Sequence, residues 1–156
     1  MKIIKLTRGK NALVDKDVFE RLSKHKWFFE DSGYPMTNIK EDGKWKKERM
    51  HYFIMEKKEG KIIDHINRNR LDNRKSNLRY ATYSENFHNA DISKRNKSGY
   101  KGVHWDKQSQ KWRAMASVKG KQKHIGLYDC KKEAAKAYND FVVRTAGEFA
   151  HLNDIQ

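Results

Sequence analysis

Residues 61–86, KIIDHINRNRLDNRKSNLRYATYSEN, restrict the possible folds more than any other part of this chain. The apolar pair Ile62-Ile63 predicts a short strand that delivers an acid and a histidine at its end. The polar run over 66–77 predicts a long loop, and Leu78–Thr82 predicts a second strand. The last residue of that strand stands three residues before a glutamate, which is the spacing of a capping box. A helix is therefore expected to follow, in the order strand, loop, strand, helix.

This arrangement can bring oxygen and nitrogen ligands together around a cation. Asp64, at the end of the first strand, can face Asn86 in the helix, and two oxygen ligands with open positions suit a hard divalent cation such as Mg²⁺. His65 follows Asp64 directly, and an imidazole with a pKa of about 6.5 can take a proton from water at neutral pH. An amide such as Asn77 can hold that ring in one orientation. The residues therefore predict a hydrolytic metal site.

Four short segments carry a resemblance to a known family. They are Asp64-His65-Ile66-Asn67, Leu71-Asp72-Asn73, Asn77-Leu78-Arg79 and Ser84-Glu85-Asn86. At this spacing they resemble the HNH (ββα-metal) endonucleases, in the branch that includes phage and intron-encoded homing endonucleases. The resemblance implies His65 as the general base and Asn77 as its orienting partner. It implies Asp64 and Asn86 as the metal ligands, in a reaction that hydrolyses a phosphodiester bond and leaves a 5′-phosphate.

Some positions depart from the common patterns of that family. Asn86 stands where other variants have a histidine, and Ala90, four residues later, cannot bind a metal. Oxygen ligands favour Mg²⁺, with Mn²⁺ as an alternative, over tight zinc binding. Upstream, the segment 50–55 resembles the family's His-Arg-Leu segment, with Tyr52 at the usual arginine position. His51 in this segment either touches phosphate or packs, and the sequence leaves both open.

The charge of the chain indicates a nucleic-acid partner. Its 35 Lys and Arg residues against 20 Asp and Glu residues give a formal net charge of +15, and such an excess attracts a polyanion. The cations of the polar loop are expected to neutralise DNA phosphates, with an affinity that falls as salt rises. These residues are Arg68, Arg70, Arg74, Lys75 and Arg79.

Cysteine content and hydropathy indicate where in the cell the protein is expected. Cys130 is the only cysteine, which excludes an internal disulfide and a multi-cysteine zinc site. No apolar run approaches the ~18 residues that a membrane span needs, and the N-terminus lacks the apolar stretch of a signal peptide. The protein is therefore expected to be intracellular, without a membrane partner, and encoded by a phage or mobile element in a bacterial host.

Residues 98–153 resemble a second family. The matching residues are Tyr100-Lys101-Gly102-Val103, Lys111-Trp112, Ile125-Gly126-Leu127-Tyr128, Glu133-Ala134-Ala135-Lys136-Ala137-Tyr138, Gly147 and Leu152-Asn153. They resemble the DNA-binding domain of plant ethylene-response factors (ERF), the APETALA group, which also occurs appended to phage HNH nucleases. The resemblance implies a three-stranded antiparallel sheet that lies in the major groove, with one helix packed behind it.

Alternation along the predicted strands separates two faces of this sheet. Apolar residues of strand 111–119 share one face and are expected to pack on an alanine-rich helix over 130–146, while Ile125 and Leu127 of strand 121–128 point inward with them. The opposite face carries polar residues that can bond base edges, with Arg113 to guanine as the expected specific contact. The expected DNA contacts are Lys101, His104, Arg113, Met115, Ser117, Gln122 and His124.

These patterns predict an α+β protein in four parts. Residues 1–50 form a strand and helix segment, 51–90 the ββα-metal HNH core, 91–98 a linker, and 99–154 the ERF-type domain. The predicted function is site-specific cleavage of double-stranded DNA with one divalent metal. The alternatives are a non-catalytic DNA-binding regulator that keeps a decayed HNH scaffold, and an RNA-binding protein. One active site per chain favours nicking of one strand unless the protein dimerises. The sequence does not settle the oligomeric state, with a monomer favoured.

Overall fold

Strands and helices are interspersed along the chain, so the expected mixed α+β class is confirmed. The computed structural model describes residues 1–93, 95–118 and 120–156. Lys94 of the expected linker and Lys119 of the expected strand 111–119 lie outside the described residues. The described chain divides into two compact units, Met1–Ala81 and Thr82–Gln156.

The first unit contains seven strands and two helices within its described residues. The strands are β1 Lys2–Lys5, β2 Asn11–Val14, β3 Phe28–Phe29, β4 Pro35–Glu41, β5 Lys44–Arg49, β6 Ile62–His65 and β7 Leu78–Ala81. The helices are α1 Lys16–Ser23 and α2 His51–Ile54. These strands pair antiparallel, β1 with β2, β3 with β4 with β5, and β6 with β7. An isolated parallel bridge joins Leu13 of β2 to Asp72.

The core of the first unit is small and lies among these short sheets. Leu22, Met50 and Val14 are its largest fully buried apolar side chains, and Ile63 of β6 and Leu78 of β7 belong to the same cluster. The two strands that carry the candidate site are therefore fixed to the core by apolar side chains, with Tyr80 of β7 packed against the same cluster.

Two sequence expectations for the first unit need correction. The sequence predicts a hairpin of strands over 34–40 and 45–53, but β5 ends at Arg49 and α2 begins at His51, because the apolar residues there pack on the core with helical spacing. Asp17 with Glu20 three residues later predicts a capping box for the first helix, but that helix begins at Lys16, so Asp17 lies in its first turn. An acid there still complements the helix dipole.

The second unit joins a short helix to a three-stranded sheet and a long helix. The helices are α3 Tyr83–Asn89 and α4 Lys131–Ala146, and the strands are β8 Val103–Asp106, β9 Lys111–Val118 and β10 Lys121–Tyr128, in the order β10-β9-β8. Ala114 of β9 packs against Ala134 and Ala135 of α4 without exposed surface. Small residues on both sides let the helix lie close to the sheet.

Gly102, just before β8, shows why the tight Tyr-Lys-Gly-Val segment requires a glycine. Its φ of +72° is left-handed, and an added Cβ would overlap the ring of Tyr138. The capping box at the start of α3 is confirmed as well. Glu85 N donates to Thr82 Oγ1 over 3.2 Å, and Thr82 N donates to Glu85 Oε2 over 2.6 Å.

One expectation about the side of the sheet on which a residue lies is wrong. Leu127 was expected to point inward with Ile125, yet Leu127 is 39% exposed. The cause is a register shift between His124 and Gly126, which leaves Ile125 without a partner on β9. A bulge of one residue inverts the alternation beyond it, so Leu127 shares the outer face with Arg113.

The compact units do not coincide with the expected four parts of the chain. The division falls at Ala81, which places α3 with the C-terminal sheet. The expected boundaries, with a linker at 91–98, stay a prediction, because compactness does not mark the limits of a functional domain. Within the described residues, no helix is both long and apolar enough to cross a membrane.

Candidate active site and nucleic-acid interface

Asp64 and His65 end strand β6, and both are buried. The antiparallel register places Asp64 opposite Arg79 of β7, and Arg79 Nε donates to Asp64 Oδ2 over 3.0 Å. The Arg79 side chain is only 11% exposed. This cross-strand bond joins part of the guanidinium to the buried carboxylate, and the expected contact of Arg79 with DNA phosphate stays a prediction.

The imidazole of His65 contacts a different amide from the one expected. Its Nε2 lies 3.3 Å from Oδ1 of Asn73, and Asn73 is fully buried. Asn73 Nδ2 donates to the carbonyl of Arg70 over 3.0 Å, which fixes the amide with its oxygen toward the ring. Burial lowers the pKa of His65, while the Asn73 bond and the Asp64 charge raise it. Since burial has the largest effect, the ring is held in its neutral form.

Asn77 organises the polar loop rather than the imidazole. Its Oδ1 accepts from Asn67 N over 3.0 Å, and its Nδ2 donates to Asn67 Oδ1 and to the Asp72 carbonyl. Both amide protons of Asn77 are therefore used within the loop. The expectation that Asn77 orients His65 directly is corrected by this geometry. Sequence reasoning chose among several amides by family spacing, and nothing local distinguishes Asn73.

A group of rings surrounds His65. His51 lies 5.2 Å from it between ring centroids, edge to face, and Tyr34 lies 6.0 Å from it. His51 is 1% exposed, and neither of its ring nitrogens has a hydrogen-bond partner among the described residues. Burial, and to a lesser extent the nearby Arg49 guanidinium, lowers the pKa of His51 to about 3. Of the two alternatives left open for His51, the structure places it in packing.

The two expected metal ligands lie in different units. Asp64 belongs to the first, and Asn86 lies on α3 in the second. A carboxylate has about four acceptor positions, so the bond from Arg79 is compatible with further coordination. Within the described residues no three His, Cys, Asp or Glu side chains gather as a metal site. Carboxylate and amide oxygens are each ligands that a hard cation accepts.

Lys101 is buried and caps helix α3. It is 8% exposed, and its Nζ donates to the carbonyls of Phe87, His88 and Ala90 over 3.1, 2.6 and 2.5 Å. These carbonyls lie at the C-terminal end of the helix, where the dipole favours a cation. The expectation that Lys101 contacts DNA is corrected, because its ammonium serves the interior of the second unit.

One further bond fixes the end of α3 inside the second unit. The His88 imidazole on this helix is buried, and burial lowers its pKa. The backbone N of His151 donates to the His88 carbonyl over 3.2 Å. The helix that carries Asn86 is therefore an integral part of the packing of the C-terminal sheet.

The remaining cations of the polar loop differ in how they are engaged. Arg74 makes a bidentate pair with Asp72, with bonds of 2.7 and 2.6 Å, and Lys75 pairs with exposed Asp17. Arg70 lies 4.5 Å from the centroid of the Tyr34 ring. Arg68 is exposed in a left-handed conformation with φ of 64°. The exposed pair of Lys75 with Asp17 can exchange partners at little cost. All four side chains stay candidates for phosphate contacts.

The predicted reading face of the sheet has the expected register. His104 pairs with Arg113, Gln122 with Ser117 and His124 with Met115, so these six side chains share the outer face. Arg113 is engaged by Asp106, with NH2 2.9 Å from Oδ2. Trp105 and Trp112 pack edge to face at 5.2 Å.

Comparisons with known proteins bear on this site. A family model described as HNH endonuclease matches residues 49–88, which include Asp64, His65, Asn77 and Asn86. An uncharacterised HNH endonuclease of Acanthamoeba polyphaga mimivirus is 34% identical over 157 residues, covering 96% of this chain and 79% of that protein. Protein 3.8 of Escherichia phage T7 is 35% identical over 99 residues, covering 60% and 82%. No solved structure matches the chain.

Proposed function

The chain belongs to the HNH endonuclease family, and we propose that it is a site-specific, homing-type DNA endonuclease that hydrolyses one phosphodiester bond with a single divalent cation. The observation that carries this proposal is the buried pair Asp64-His65 at the end of β6, with the imidazole held neutral. A neutral imidazole beside a carboxylate is suited to accept a proton from an attacking water.

His65 acts as the general base through one particular nitrogen. The Asn73 oxygen can only accept, so His65 Nε2 carries the ring proton and donates to it. In the neutral ring the basic lone pair is then on Nδ1, which takes the proton from water as the water oxygen attacks phosphorus. The bond between phosphorus and the 3′-oxygen breaks, which leaves a 5′-phosphate. Asn73 thus sets the tautomer.

Asp64 and Asn86 are the residues that would hold the cation, for which Mg²⁺ fits and Mn²⁺ is the alternative. When bound there, the cation neutralises charge on the phosphate and on the leaving oxygen. Arg79 supports this role of Asp64, because its Nε donates to one carboxylate oxygen and holds the group in place. The bonds of Asn77 to the Asn67 backbone N and to the Asp72 carbonyl hold together the loop that connects β6 and β7.

The second unit supplies DNA recognition in this proposal. The outer face of its sheet presents arginine, glutamine, histidine and serine side chains, as an ERF-type sheet in the major groove would require. Arg113, whose pair with Asp106 is partly exposed, is the proposed contact to guanine. The viral relatives are consistent with a phage or mobile-element origin. A single active site per chain favours a monomer that nicks one strand.

Conversion of supercoiled plasmid to open circles tests the proposal. We expect nicking by the wild type with Mg²⁺ or Mn²⁺ and none with a chelator. Asp64→Asn keeps the size of the side chain but removes its charge, so it is expected to reduce the rate at least ~100-fold while duplex binding persists. Binding without nicking in either metal would instead establish the non-catalytic regulator.

A further inference from the structure

The hairpin formed by β4 and β5 extends beyond the core of the first unit. Its strands pair in unbroken register from Met36 with Arg49 to Glu41 with Lys44. The turn residues Asp42 and Gly43 both have positive φ, 50° and 76°, which is the geometry of a tight two-residue turn that matches strand twist. The outer part of the hairpin is mostly exposed to solvent.

Charge is segregated between the two faces of this hairpin. Residues directly opposite each other share a face, and alternate residues along each strand share it too. One face, here named the basic face, carries Asn38, Lys40, Trp45, Lys47 and Arg49. The two strand carboxylates, Glu41 and Glu48, lie on the opposite face together with Lys44 and Lys46. The basic face therefore carries three cations and no acid of the hairpin strands.

Trp45 is the most unusual member of the basic face. It is 71% exposed and makes no ring contact among the described residues. Directly opposite it stands Lys40, which forms no ion pair within the described part of the chain. An exposed tryptophan beside an unpaired lysine contributes little to the stability of the fold, and this combination is typical of a binding surface.

The basic face leads to the proposed general base. The Arg49 guanidinium lies 4.4 Å from the centroid of the Tyr34 ring, and the Arg70 guanidinium lies 4.5 Å from the same ring. The Tyr34 ring in turn lies 6.0 Å from the His65 ring. Cations and aromatic groups thus continue from the hairpin tip to the catalytic histidine, all within the first unit.

We propose that the basic face is a docking surface for the duplex DNA that flanks the scissile phosphate. This inference rests on the proposed function, because the site at the end of the surface acts on a phosphodiester. Lys40, Lys47 and Arg49 contact successive backbone phosphates, and Trp45 packs its ring against the sugar edge of a groove. These contacts are independent of sequence, so the hairpin adds affinity and places the bond to be cut, while base reading stays with the sheet.

Two matched double variants test the surface. Lys40→Ala with Lys47→Ala removes two cations from the basic face, of which Lys47 is paired with Glu30. Lys44→Ala with Lys46→Ala removes two cations from the opposite face, of which Lys46 is paired with Glu41. The change in charge, the hairpin and the number of broken ion pairs are the same in both variants. Besides the face, they differ in the contact of Lys47 with the Phe28 ring, 5.8 Å from Nζ to the centroid.

The measurement is fluorescence anisotropy of a labelled duplex with the full chain, over a series of salt concentrations and without divalent metal. The basic-face variant is expected to weaken binding about tenfold and to reduce the slope of log affinity against log salt by about two. The opposite-face variant is expected to stay within about twofold of the wild type. Trp45→Ala should weaken binding with an unchanged salt slope.

The outcomes separate this inference from the proposed function. Equal losses in the two double variants, or a loss confined to duplex RNA, would overturn the docking surface and leave nicking by the wild type untouched. A basic-face loss in a protein that never nicks plasmid would support the surface and overturn the endonuclease.

Discussion

His51 shows at the scale of one residue how a buried polar group is tolerated. A neutral imidazole whose two nitrogens lack hydrogen bonds costs free energy, and His51 is both buried and unpartnered among the described residues. It packs edge to face on His65 and on Tyr34, at 5.2 and 5.5 Å. Its contribution is therefore to hold the His65 ring from one side while Asn73 holds it from the other.

The depressed pKa of His51 predicts a loss of stability in acid. Its pKa is about 3 in the folded protein and about 6.5 when unfolded. Below pH 6.5 the unfolded chain therefore binds a proton that the folded protein refuses, and the free energy of unfolding falls as pH falls. Between about pH 7 and about pH 5 the wild type should lose roughly 2 kcal/mol more than His51→Phe.

Urea denaturation of both proteins at the two pH values measures this difference. Every other titrating group is common to the two chains, so its contribution cancels in the comparison. An equal loss of unfolding free energy in wild type and variant would contradict the burial of a neutral His51.

At the scale of elements, the end of helix α3 depends on the Lys101 ammonium. Replacement by methionine keeps the stem and removes three charge-assisted bonds to carbonyls. We expect Lys101→Met to lower the free energy of unfolding of the second unit by about 3 kcal/mol. The matched control is Lys136→Met on the exposed side of α4, with an expected change within about 0.5 kcal/mol.

Near-ultraviolet circular dichroism during urea unfolding reports on this change, because the Trp105–Trp112 ring pair lies in the second unit. If Lys101→Met unfolds at the same urea concentration as Lys136→Met, the buried cap does not stabilise the helix.

Local chemistry predicted much of the element structure. The capping box of Thr82 and Glu85 and the facing of Ala114 follow from spacing and alternation alone, because both are decided within a few residues. The inversion at Leu127 was not predictable, since a bulge depends on how β10 pairs with β9. The same limit applies to Lys101, whose carbonyl partners come from a helix more than ten residues away.

The candidate site likewise has features that the sequence predicted and features that it did not. Motif spacing predicted the strand that ends in Asp64 and His65, which the structure has as β6; their roles stay a prediction. It did not identify Arg79 as the partner of Asp64, which is a matter of cross-strand register. Nor did it separate Asn73 from Asn77, because the hydrogen bonds of these amides depend on how the loop folds and not on their spacing.

At the scale of the whole molecule, a net charge of +15 makes affinity for DNA strongly dependent on salt. Each neutralised phosphate releases condensed counterions. With about six phosphates neutralised, we expect duplex affinity to fall about a thousandfold between about 50 and about 200 mM salt. Anisotropy titrations over that range measure the slope, and a fall of less than about tenfold would show that binding is not carried by phosphate contacts.

The most direct test of the account is the cleavage rate of a strand-labelled duplex in a single turnover, with saturating enzyme and Mg²⁺. We predict that His65→Ala lowers this rate at least about a thousandfold while duplex affinity stays within about twofold of the wild type. His25→Ala, which removes another histidine of the first unit, should cleave as the wild type does. Cleavage by His65→Ala at the wild-type rate would contradict the assignment of the general base.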